Sequence, residues 1–235
     1  MATQEKIADL GGGAWAVRKE LVGVGRAELH LVFFDAARAE LLVVDQPLRS
    51  TAVSLGQSMR SIGAIAGCNG GYFTPEFTPL GLLIAQGSRV GRIERSSLLG
   101  GVLLVRHGRP VMLWRDEFVE QSGITDLVQA GPRLVNGGLA VKGLEATKRR
   151  ARTFVLTDCT GHWAFGLCDS ISLRDLSDLL ATPDVMREFQ VERALNLDGG
   201  SSSGLWFRHG DGAENYEREF ATVRTFLALV PKPQR

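Results

Sequence analysis

The chain has 235 residues and a formal net charge of +1, enough length to bury a substantial core and no bulk charge to hold nucleic acid. Hydrophobic residues at 44% and charged ones at 23% sit near globular averages, which excludes disordered and coiled-coil chains. The excess is in glycine, with 28 residues, and points to many strands and turns with close backbone approaches.

In chain order, AELHLVFFDAARAELLVVDQP (27–47) reads as two strands joined at Asp35 to Ala39, a hairpin. Ser50 to Met59 reads as a short helix leading into the apolar GAIAGCNGGYF, where strand character returns. GLLIAQGSRV and GVLLVRHGRPVMLW are apolar runs broken at glycine turns and predict an antiparallel meander. ITDLVQAGPRLVNGG, RTFVLTD and Trp163 to Asp169 continue the strands. Ser172 and Asp175 have capping-box-like spacing, and Leu173, Leu176, Leu179 and Leu180 share one face, so a helix starts at Ser172. Thr182 and Pro183 predict a second helix through Phe189. No repeat, linker or low-complexity tract divides the chain, and the expected fold is a single α+β domain of mainly antiparallel sheet with a few packed helices.

Two glycine-rich loops carry the chemistry. In ALNLDGGSSSGLWF (194–207) an apolar strand ends at Asp198, followed by Gly199 and Gly200, which leave backbone amides uncovered, and by the hydroxyls of Ser201, Ser202 and Ser203. A surface turn does not need a second copy of this device, yet CNGGYF (68–73) repeats it. Each loop follows an apolar strand, so neighbouring strands of one sheet would bring both loops to one edge and one pocket. Asn69 and Asn196 would then offer side-chain amides to sugar hydroxyls, and Gly70, Gly71, Gly199 and Gly200 backbone donors to an anion.

Taken in order, CNGGYF, QAGPRLV, ARTFVLTD, the SLRDLSDLL helix and ALNLDGGSSSG resemble the phosphodiester glycosidase family over roughly residues 25–231, which sets residues 1–24 apart as an N-terminal segment. The resemblance implies an α+β fold and, as in the family's characterised animal member, removal of N-acetylglucosamine from a phosphodiester to leave a phosphomonoester on mannose. The substrate expected here is a small-molecule or glycan phosphodiester. Within the matching motifs lie Gln129, Arg133, Arg152 and Asp158.

A sugar 1-phosphodiester carries a good leaving group and needs charge stabilisation more than proton donation. Arginine supplies it, because its planar donors match phosphate oxygens in pairs; Arg133 and Arg152 each abut an apolar strand. Lys148, Arg149 and Arg150 beside Arg152 read as a solvated loop. A carboxylate must then stabilise the oxocarbenium-like transition state, attack the sugar or activate water. Asp198 is the first choice, with Asp158 and Glu94 as second members. Ser201 and Ser202 complete the expected substrate-binding set, and Trp206 is a possible sugar platform.

Other readings stand beside this one. Gly200 to Gly204 match G-x-S-x-G around Ser202, but GLWFRHG reads as a strand where a nucleophile elbow requires a helix, and only His209 follows. A non-enzymatic binder of anionic glycans would keep the arginines and glycines and tolerate loss of Asp198. The histidines, His30, His107, His162 and His209, show no ligand spacing. No redox or organic cofactor is expected, although Asp198 and Asp158 could share a divalent cation. Cys68, Cys159 and Cys168 allow at most one internal disulfide. The amino terminus MATQEKIADLGGG lacks the apolar core of a signal peptide and no segment is long enough to span a bilayer, so the sequence as it stands reads as cytoplasmic, or as secreted if a leader has been removed.

Overall fold

The structure, a computed structural model, describes residues 2–21, 27–183 and 185–232, with side chains from Ala8 onward. In chain order the first strands are β1 (Ala2–Gly11), β2 (Ala14–Leu21), β3 (Ala27–Asp35), β4 (Ala39–Asp45), β5 (Ala66–Asn69) and β6 (Leu83–Ala85). They continue as β7 (Ser88–Val90), β8 (Gly101–Arg106), β9 (Arg109–Trp114), β10 (Ile124–Ala130), β11 (Arg133–Asn136) and β12 (Leu139–Ala140). The last are β13 (Arg150–Thr157), β14 (His162–Ile171), β15 (Arg193–Asn196), β16 (Leu205–Arg208), β17 (Glu214–Glu217) and β18 (Thr225–Pro231). Two α-helices, α1 (Leu55–Ser61) and α2 (Leu173–Leu180), are present among the described residues.

The strands form three antiparallel sheets. An eight-stranded sheet runs β1-β2-β3-β14-β13-β15-β11-β12, and the two five-stranded sheets run β7-β6-β10-β8-β9 and β17-β16-β5-β18-β4. One apolar core joins all three: Val32, Phe34, Val155 and Phe165 of the first sheet meet Leu103 and Val128 of the second and Leu41, Cys68 and Leu227 of the third. Successive strand residues point to opposite faces, so Leu31 and Phe33 of β3 point away from this core. They are covered by α2 and the segment after it, through Leu176, Leu180, Met186 and Val191. On the third sheet, α1 covers Trp206 and Phe226 with Leu55 and Met59. The architecture is α+β and mainly antiparallel sheet, as expected.

Local signals explain the elements that match. Ser54 and Gln57 form a capping box at the start of α1, five residues after the expected start at Ser50. Ser172 Oγ accepts the Asp175 amide 3.1 Å away and starts α2. The β6–β7 and β8–β9 hairpins turn at Gln86–Gly87 and His107–Gly108, all four with positive φ. Between these hairpins, however, β10 intervenes by pairing with both β6 and β8, so the second sheet is not a simple meander.

Two expectations fail. Residues 27–47 are not a hairpin: β3 pairs with β2 and β14 in the first sheet, and β4 pairs with β18 in the third. Both strands are apolar on both faces, which suits partners in different layers better than a two-stranded ribbon. Thr182 to Phe189 is not a helix. The amides of Val185 and Met186 both return to the Thr182 carbonyl, but the Val185 carbonyl accepts from the buried Lys19 Nζ at 2.5 Å instead of from a later amide. Lys19 also pairs with Glu188 at 2.7 Å, which pins the segment to β2. Asp184, within that span, lies outside the described residues.

Candidate functional site

Asp198 follows β15 in the eight-stranded sheet, whereas Asn69 closes β5 in a different sheet. The two glycine loops do meet, but across two facing sheets and not along one edge. The Asn69 side-chain Nδ2 donates to the Asp198 carbonyl at 2.7 Å, and the Asp198 amide donates to the Gly70 carbonyl at 3.1 Å. Asn69 Oδ1 accepts the Gly204 amide at 3.1 Å. Both ends of this fully buried amide are therefore spent inside the protein, and Asn69 holds the loops together in place of the expected sugar contact.

Several of the glycines are required by close packing. A Cβ on Gly70 would lie 2.6 Å from Thr225 Oγ1, and one on Gly71 2.6 Å from Val128 Cγ2. The Gly70 amide donates to the Thr225 carbonyl at 2.7 Å, so it is not free for phosphate. The Gly199 amide donates to the Asp198 carboxylate at 2.8 Å. The open part of the loop is Gly200, at φ +65° with nothing within 4 Å of where a Cβ would stand, together with the exposed Ser201.

Around this loop four side chains converge. Burial pushes the Asp198 carboxyl above the usual carboxylate range, opposed by hydrogen bonds from the Ser202 hydroxyl and the Gly199 amide. Arg152, at the start of β13, has its Cδ and Nη1 3.8 Å from the Cβ direction of Gly199. Its guanidinium donates only to carbonyls, Ile171 at 3.4 Å and Lys148 at 3.1 Å, and has no carboxylate within ion-pair distance among the described residues. Desolvation lowers its pKa, and the neighbouring Tyr72 opposes that shift. Tyr72 donates to the Gly131 carbonyl at 2.6 Å and accepts from Asn196 Nδ2 at 2.8 Å; burial first, then the charge of Asp198, push its phenol up. Asn196 Nδ2 also donates to Gly131 at 3.0 Å, while its buried Oδ1 has no partner. Asn196, like Asn69, is thus a brace within the protein. Tyr72 escapes the sequence reading, although it sits within the CNGGYF motif.

The remaining expected residues fall elsewhere. Asp158 follows Thr157, the last residue of β13, at the opposite end of the strand from Arg152, six residues along and so roughly 20 Å away. Its carboxylate closes a turn, accepting from the Thr160, Gly161 and His162 amides and contacting His162 Nδ1 at 2.6 Å. Asp158 and Asp198 therefore cannot share a reaction centre or a cation, and no metal-holding cluster of His, Cys, Asp and Glu occurs among the described residues. Gln129 is fully buried: its Oε1 accepts the Leu82 and Glu94 amides and its Nε2 donates to the Glu94 and Leu99 carbonyls, so it latches loops and has no free polar atom for substrate. Glu94 pairs with Arg92 at the surface.

Arg133 stacks on Trp114, its guanidinium carbon 5.2 Å from the ring centre, and lines a separate cavity with Ser97, Gly100 and Arg115. Trp206 is fully buried and donates to Glu214 at 3.1 Å, so it is not a sugar platform. Ser202 is followed by strand β16 and not by a helix, and His209 Nε2 contacts Asn215 at 2.5 Å; the nucleophile-elbow geometry is absent. The three cysteines are free. No helix among the described residues is long and apolar enough to cross a membrane.

A sequence profile described as phosphodiester glycosidase matches residues 62–230. Curated protein sequences give no match. Among solved structures, the catalytic domain of zebrafish N-acetylglucosamine-1-phosphodiester alpha-N-acetylglucosaminidase, auto-inhibited by its pro-peptide, is similar with a TM-score of 0.69 and 15% identity over 98% of this chain and 88% of that one. A hypothetical protein from Synechocystis is similar with a TM-score of 0.63 and 14% identity over 94% of this chain and 62% of that one. At these identities the structural likeness is one of fold.

Proposed function

Because the chain belongs to the phosphodiester glycosidase family, we propose that it is a hydrolase that breaks the bond between a sugar's anomeric carbon and the oxygen of a phosphodiester. Water supplies the new oxygen on the sugar, and the phosphate keeps the bridging oxygen as a phosphomonoester. The supporting observation is that a desolvated carboxylate, Asp198, and a half-buried arginine with no carboxylate within ion-pair distance among the described residues, Arg152, flank the same residue, Gly199.

In this scheme the phosphate lies between Arg152 and the open backbone of Gly200 and Ser201, where cationic and amide donors stabilise the charge that develops on departure. Asp198 faces the anomeric carbon and stabilises, attacks or activates water toward it. Hydrogen bonds from Ser202 and the Gly199 amide favour the ionised form of that carboxylate against its burial, and aim it. Asn69, Asn196 and Tyr72 hold the loops in register through their hydrogen bonds within the protein.

Incubation with sugar 1-phosphodiesters in oxygen-labelled water, followed by phosphorus NMR, tests the reaction. Label in the sugar and none in the phosphate is expected. Label in the phosphate would make the protein a phosphodiesterase. A protein that turns over no such diester, yet binds one equally well after Asp198→Asn, would be a binder of anionic glycans.

A further inference from the structure

Phe220 is 92% exposed, yet its backbone is fixed. Its amide and that of Ala221 both donate to the Ser201 carbonyl, at 2.8 and 2.9 Å. The preceding Glu219 is buried, where it accepts from the Leu55 amide at 2.8 Å and the Tyr216 hydroxyl at 2.7 Å. A bare aromatic ring is thus anchored one hydrogen bond from the open stretch of the Gly199–Ser203 loop.

Two more apolar side chains stand on the neighbouring loop, Leu48 at 61% exposed and Val53 at 44%. Gln46 ties that loop to the Phe220 segment: its Nε2 donates to the Val223 carbonyl at 2.9 Å, its Oε1 accepts the Val53 amide at 2.7 Å, and its own amide donates to Arg224 at 2.9 Å. The result is an apolar ledge on braced backbone at the rim of the site. With the phosphate seated over Gly200 and Ser201, the Phe220 ring reaches within roughly 10 Å of it, the length of a short alkyl group. An alkyl chain laid there would cover apolar surface at no polar cost, whereas a second sugar would find no hydrogen-bonding side chain among Leu48, Val53 and Phe220.

We infer that the group beyond the phosphate is an apolar chain, so that the substrate is a sugar 1-phosphate esterified to a lipid-like alcohol, with Phe220 as a specificity residue. This rests on the hydrolase function proposed above. The test compares methyl, octyl and glucosyl diesters of one sugar 1-phosphate, with kcat and KM measured for the wild type and Phe220→Ser. The wild type should favour the octyl over the methyl diester by about tenfold or more in kcat/KM, carried by KM. Phe220→Ser should bring the octyl value near the methyl value and leave the methyl diester unchanged. An octyl-to-methyl ratio equal in both proteins, or a wild-type preference for the glucosyl diester, overturns the ledge assignment and leaves hydrolysis standing. Cleavage of none of the three diesters by the wild type overturns both.

Discussion

The Asn69 side chain donates to the backbone carbonyl of Asp198 across 2.7 Å, and through that bond two sheets agree on where the carboxylate sits. The Gly199–Ser203 loop closes its own turn, with the Ser202 and Ser203 amides donating to the Gly199 and Gly200 carbonyls, but that turn does not fix its place against the other sheet. Asn69 supplies the missing constraint by donating to Asp198 and accepting from Gly204.

Asn69→Ala should therefore lose both stability and turnover. It leaves the Asp198 carbonyl and the Gly204 amide buried without partners, a cost of about 1–3 kcal/mol for each orphaned group. Denaturant unfolding should show the midpoint falling with an unchanged slope, and the remaining folded protein should turn over diester more slowly. A variant with wild-type stability would show that the bridge is dispensable.

Asp198 makes a prediction in pH. Burial raises its folded-state pKa above the usual carboxylate value, so ionising it costs stability: this group's contribution is full below its unfolded pKa and is lost as pH rises through the folded one. Asp198→Asn should abolish turnover while leaving neutral-pH stability unchanged or higher. If the ionised form is the active one, activity must fall on the acid side at a pH above that of an ordinary aspartate. Ser202→Ala removes a hydrogen bond to the charged form and should move that limb further up. A limb that stays in place after Ser202→Ala would detach Ser202 from the carboxylate.

The placement of Asp198 and Arg152 at strand ends was legible in the sequence because each stands where an apolar strand meets residues that break it. What the sequence concealed was direction. Asp158 directly follows the strand that carries Arg152, and the antiparallel register, with Phe154 opposite Asn196 and Thr157 opposite Arg193, places it at the end away from Asp198. Asn69, Asn196 and Gln129 read as ligand amides because a buried amide and a binding amide are the same residue type. Their partners are main-chain groups of distant segments, and no local pattern encodes those. The sheet layering of 27–47 was hidden for a related reason: a strand apolar on both faces does not name its neighbour.

Asp158→Asn separates the two edges. Its carboxylate is held below the usual range, with burial opposing and hydrogen bonds from Thr160 and His162 prevailing, so it stabilises the fold above the unfolded pKa and stops doing so as pH falls through the folded one. Asp158→Asn should cost about 1–3 kcal/mol of stability near neutrality, because a mostly buried carboxylate gives up hydrogen bonds that an amide cannot all replace, and leave kcat intact. Turnover reduced a hundredfold in a well-folded Asp158→Asn would return that residue to the reaction and break the spatial assignment made from the strand register.

Arg152 carries the sharpest expectation. A guanidinium that is half buried with no carboxylate in ion-pair contact among the described residues has given up hydration for only the more distant charge of Glu145, and its pKa is lowered by that desolvation. Such a residue is poised to gain when a phosphate arrives, and to gain more as the phosphate takes on leaving-group charge. Arg152→Lys keeps the charge but loses the planar pair of donors and the bonds to the Ile171 and Lys148 carbonyls that aim them. The substitution should lower kcat by about a hundredfold, the scale seen when one donor to developing charge is removed, with a smaller change in KM. Because the lysine stem still fills the site, thermal unfolding should shift little, which separates a catalytic loss from a folding one. An unchanged kcat at saturating diester would take Arg152 out of the phosphate site and leave the charge of the leaving group to the Gly200 and Ser201 backbone alone.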